Sequence, residues 1–100
     1  MSVKAFIVRT AEGFLVSPSP LIVPPDVDEV SFRNLSGGPV KVIFPDSKVF
    51  RPYALKIPHG KEVSTEVNSK VPQVFSYVVE ISTLGLHAKG NSAPIIIIDR

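Results

Sequence analysis

The chain reads as an all-β protein, a Greek-key β-sandwich of seven or eight strands, and three observations lead there. Valine and isoleucine dominate the apolar positions while strong helix formers are sparse. Ten prolines fall every few residues, leaving no window for a helix of ordinary length. Short apolar runs recur at spacings of about 8–12 residues with turn signals between them, the rhythm of a sandwich or barrel.

Taken in order, residues 3–10 form the first strand, ended by Glu12-Gly13. Residues 14–16 and 21–23 are short strands around Ser17-Pro18-Ser19-Pro20 and mark a sheet edge, because proline cannot donate to a ladder. Pro24-Pro25-Asp26 turns the chain. Residues 30–35 alternate cleanly, with Val30, Phe32 and Asn34 on one side and Ser31, Arg33 and Leu35 on the other. Ser36-Gly37-Gly38-Pro39 is a turn, after which Val40, Val42 and Phe44 share one face of the next strand. Residues 45–52 read as an irregular loop, 53–57 as a strand stopped by Pro58-His59-Gly60, and 61–67 as a strand with Val63 and Val67 apolar. Residues 74–82 read as one long strand, with Phe75, Tyr77, Val79 and Ile81 on a common face. Residues 83–91 are a loop or wide hairpin. The last strand, residues 94–99, holds four consecutive isoleucines, which suits a strand covered on both faces and central in its sheet.

Residues 1–100 make a single domain, long enough for one core without staples. The 44% hydrophobic content argues against disorder, and the net charge of +2 is small. With no cysteine there is no disulfide, no thiolate ligand and no thiol nucleophile. The first apolar run is too short for a signal sequence, and no stretch approaches a membrane span. The chain as it stands reads as cytoplasmic; an exported protein whose signal has been trimmed would read the same.

The segment from Phe32-Arg33-Asn34 through the Ser36–Pro39 turn to Val40-Lys41-Val42-Ile43-Phe44 resembles a pattern of the cupredoxin (plastocyanin-like) family. Lys56-Ile57-Pro58-His59-Gly60 is similar to that family's Pro-Gly turn with one extra residue. Phe75-Ser76-Tyr77-Val78-Val79 resembles its aromatic strand. The resemblance covers about residues 30–99 and implies the fold while opposing the activity. Val40 stands where the first copper-binding histidine belongs, Val79 where the cysteine belongs, and Ser82 near the second histidine. Blue copper needs a thiolate and two imidazoles. The scaffold is therefore expected without its metal, and no cofactor is expected.

Few residues carry candidate chemistry. His59 and His87 are the only imidazoles, and with Asp28, Asp46 or Glu80 they are candidate zinc or copper ligands. Two surface histidines are the plainer reading. Gly90-Asn91-Ser92 echoes a nucleophile elbow but lacks the helix that an elbow needs. Asp26, Asp28 and Glu29 lack the spacing of a calcium loop. The basic residues are scattered singly; Arg33 and Lys41 are expected to face each other across one hairpin, with Lys48 and Arg51 near. This is expected to be solubilising charge rather than a nucleic-acid surface.

The best candidate contact surface is the segment around Val49, Phe50, Arg51 and Tyr53, because it carries Val49 and Phe50 away from any clear strand and because tyrosine and arginine are common interface anchors. The opposing reading has Phe50 plugging the core. The expectation is a non-enzymatic binding or structural module, engaging an unidentified protein or a second copy of itself through loops or an exposed edge. Residues 61–67 are one candidate edge. The alternative is a metal-binding protein built on His59 and His87 with carboxylates.

Overall fold

A computed structural model describes residues 3–11, 13–81 and 94–100, together with the backbone of Leu86 and His87. The described residues contain no helix. None is therefore long and apolar enough to cross a membrane. The strands are β1 (Val3–Thr10), β2 (Gly13–Ser17), β3 (Leu21–Val23), β4 (Glu29–Leu35), β5 (Val40–Ile43), β6 (Phe50–Arg51), β7 (Ala54–Ile57), β8 (Glu62–Val67), β9 (Gln73–Ser76), β10 (Val78–Ile81), β11 (Leu86–His87) and β12 (Ile95–Ile98).

They form three sheets, ordered β2-β1-β4-β8-β6, β11-β10-β5-β7 and β3-β12-β9, an arrangement compatible with a β-sandwich. The first strand runs parallel to β4, and the last runs parallel to β3. Every other described pairing is antiparallel. The Ser17–Pro18 and Ser19–Pro20 bonds are cis, as is Arg51–Pro52. Between β2 and β3 the chain leaves the five-stranded sheet for the three-stranded one, and both strands are sheet edges, as the prolines require.

The core lies between the five-stranded sheet and the other two. Phe32 of β4 packs against Phe44 (centroids 5.8 Å apart) and edge-on to Tyr77 (5.7 Å). Phe44 stacks on Phe50 at 4.2 Å, and Phe50 meets Phe75 edge-on at 5.4 Å. This aromatic chain joins the sheets where period-two alternation points their side chains inward. Val30, Phe32, Val40, Val42, Leu55, Ile57, Val79 and Ile81 fill the space around it.

Three expectations need correction. More strands are present than the seven or eight expected, because long segments divide between sheets and two-residue strands add to them. The long strand over residues 74–82 is broken at Tyr77: β9 pairs with β12 and β10 with β5, and the Tyr77 N–H donates to Pro94 O at 3.0 Å at the junction. The inward alternation runs through the break, so Phe75, Tyr77, Val79 and Ile81 still face one way. Finally, the isoleucine strand is central in its sheet, but only Ile96 and Ile98 are fully buried; Ile95 and Ile97 are half-buried on the other face.

Candidate functional site

One end of the molecule is organised by Asn34, which is fully buried. Its Nδ2 donates to Gly38 O (2.7 Å) and Ile57 O (2.8 Å), while its Oδ1 accepts from Ser36 N (2.9 Å) and Ser36 Oγ (2.6 Å). Both amide protons and both oxygen lone pairs are used, which is the full capacity of the group. Its backbone is held as well, by Lys61 O and Gly60 N. The turn after β4, with Gly37 at φ 93°, therefore crosses to the other sheet instead of closing a hairpin. For this reason Arg33 and Lys41 do not face each other: β4 pairs with β1 and β8, and β5 with β10 and β7.

His59 lies at this end, and its Nδ1 accepts the Gly37 N–H at 3.0 Å. That bond occupies Nδ1 and leaves Nε2 as the ring nitrogen open to a ligand. The backbone of His87, on β11, pairs with Glu80 of β10, and β11 is the far edge of the four-stranded sheet from β7, the strand that leads into His59. Three strand spacings separate those edges, about 14 Å. Among the described residues no three His, Asp or Glu side chains gather as a metal site requires. Ser82 and Gly90-Asn91-Ser92 lie outside the described residues.

The structure divides the expected contact loop. Asp46 turns the chain, with its Oδ1 accepting from Lys48 N (2.8 Å) and Val49 N (3.2 Å). Asn68 N then donates to Val49 O (2.7 Å), and Phe50 and Arg51 pair with Val67 and Glu66 as β6. Val49 and Phe50 are buried beneath the surface rather than presented on it, because the aromatic cluster draws Phe50 inward. Arg51 and Tyr53 stay exposed. Arg51 joins Asp28, Glu29, Glu66 and Asn68 around a polar groove. The candidate edge over residues 61–67 is corrected in part: β8 lies between β4 and β6 in its sheet, and among the described residues β6 pairs with it at Glu66 and Val67 alone.

The most unusual surface is one the sequence reading passed over. On the outward side of β3-β12-β9, Ile22, Ile97 and Val74 form one cross-strand row, followed by Ile95 beside Ser76. Along the same chain path, β10 continues with Val78 in a row with Ile43 and Ala54. Ile22 is 51%, Val74 65% and Val78 40% exposed, and the other apolar members are half-buried. Within these rows Ser76 is the lone polar side chain and none is charged. The next row outward carries Glu80, Lys41 and Lys56, and Asp99 follows Ile98 at the opposite end. The signal for this stripe was the absence of polar alternation at Ile95–Ile98 and the apolar residues at 74 and 78.

The outward face of the five-stranded sheet is different. It mixes Phe6, Val8, Leu15 and Leu35 with Arg33, Glu62, Glu66 and Arg51, and Lys4 pairs with Glu62 at 3.0 Å. The fold and these surfaces define an all-β protein with one charged-and-apolar face and one uncharged apolar stripe. The chain matches no protein-family model, no curated protein and no solved structure.

Proposed function

We propose that this protein is a non-catalytic binding module that recognises a protein surface, built on a copper-free, cupredoxin-like Greek-key sandwich. The observation that carries the reading is the uncharged stripe of Ile22, Ile97, Val74, Ile95, Val78, Ile43 and Ala54. A contiguous apolar patch of several hundred Å² on a water-facing sheet marks an interaction site, because leaving it wet forgoes its burial energy.

The scaffold reading draws support from the register. Val40 and Val79 lie on paired strands and point inward, with Val40 opposite Ile81 and Val42 opposite Val79. The two positions that the resemblance assigns to copper ligands are thus diagonal neighbours, about 7–8 Å apart, and both are apolar. The parallel β1–β4 and β3–β12 pairs need long crossover connections rather than hairpins, which is compatible with a Greek-key sandwich. The metal reading gains nothing from the placement of His59 and His87.

The test is photocrosslinking in source cells from a benzophenone side chain placed at Val74, with Ser47 on the far loop as control. Discrete protein adducts at position 74, lost when Val78→Lys is added, are expected. Absence of any discrete adduct at position 74 would remove the proposal.

A further inference from the structure

The stripe has a charge pattern at its ends that says what covers it. At one end stand Lys41 on β5 and Lys56 on β7, with Glu80 between β11 and β5, a row of net positive charge. At the other end stands Asp99, exposed, just past β12. Lys41 and Asp99 lie diagonally across the stripe, two strand spacings apart sideways and about 25 Å apart along the strands. The interval between them carries no charge. Neither side chain has a salt bridge among the described residues, where Lys4–Glu62 is the ion pair present.

Resting on the reading of the stripe as a binding surface, we propose that its occupant is a second copy of this chain. Two stripes pack face to face about a two-fold axis in the plane of the interface, running in opposite directions. Sheets packed face to face cross at about 30°. A tilt of that order brings the diagonal positions into register, so that Lys41 of each copy lies over Asp99 of the other. The symmetry makes both pairs at once, since an isologous interface is self-complementary. The opposite orientation, with the stripes running the same way, would set lysine against lysine and carboxylate against carboxylate.

Area sets the strength. A surface three strands wide and about 25 Å long offers on the order of 350 Å² per copy, less than half of the roughly 800 Å² per partner in a standard stable interface. Self-association is therefore concentration-dependent, with a dissociation constant in the upper micromolar range.

Sedimentation velocity of the purified chain from about 10 µM to about 1 mM tests this. The mass should rise toward that of a dimer. Asp99→Lys alone and Lys41→Asp alone should each weaken association tenfold or more, and the double variant should return to within about threefold of the parent. Both positions are on the surface, so the variants should keep the parent's circular dichroism. Dimers indifferent to both charge reversals would overturn the arrangement, and a monomer at every concentration would overturn self-association. In the latter case, photoadducts from Val74 to a different protein leave the binding reading standing, whereas no adduct at all removes both.

Discussion

The side-chain amide of Asn34 on β4 donates to the carbonyl of Ile57 on β7 at 2.8 Å, tying the end of the five-stranded sheet to the end of the four-stranded one. Asn34→Asp keeps the shape and the acceptor for Ser36 but turns an oxygen toward the Gly38 and Ile57 carbonyls. It should cost about 2–4 kcal/mol, since buried groups lose partners and like dipoles meet. Ser36→Ala should cost only about 1 kcal/mol. The urea midpoint at unchanged slope measures both; equal, small losses would show that the network is not what joins the sheets.

Phe50 and Tyr53 sit three residues apart and should behave oppositely. Phe50→Ala empties a site stacked on Phe44 and should cost about 3–5 kcal/mol. Tyr53→Ala, at a half-exposed ring, should stay within about 0.5 kcal/mol. Thermal unfolding of the two variants decides whether residues 45–53 are a core plug or a free loop.

Tyr77 is buried, and its hydroxyl has no hydrogen-bond partner among the described residues. Removing an unpaired buried hydroxyl should stabilise, so Tyr77→Phe should gain about 1 kcal/mol. Burial also pushes the phenol well above the ordinary tyrosine range. The sign follows from proton counting: above pH about 10 the unfolded chain releases this proton and the folded chain keeps it. The contribution is complete below pH about 10 and is lost as the pH rises, at up to about 1.4 kcal/mol per pH unit. Alkaline unfolding should be correspondingly shallower in Tyr77→Phe; identical profiles would show that Tyr77 does not set the alkaline limb.

Arg100 joins two loops through three carbonyls: Nε donates to Ser69 O (2.8 Å) in one, and Nη1 and Nη2 donate to Pro24 O (2.6 Å) and Val27 O (2.9 Å) in the other. Arg100→Ala should cost about 2 kcal/mol and lower the melting temperature by roughly 10 °C. Arg100→Lys should recover less than half of that, because an ammonium cannot reproduce the planar fork. Full recovery by lysine would show that charge, not the fork, is what holds these loops.

By itself the sequence determined the β class, most strand positions, the proline-marked edges and the inward faces. Those follow from local sterics and period-two alternation: Val30, Phe32 and Asn34 face inward for the same reason that Arg33 and Leu35 do not. The central place of the isoleucine strand was legible from its unbroken apolar run, although one of its faces is only half covered. What only the tertiary structure decided was pairing between distant segments. The break at Tyr77 exists because the chain meets β12 on one side of that residue and β5 on the other, and no local signal marks a change of partner. Phe50 is buried because Phe44, Phe75 and Val67 converge on it from other strands. The apolar stripe is a property of neighbours as well: Ile22, Ile97 and Val74 are ordinary strand residues in sequence, and they become a surface only when the register of three strands lays them side by side.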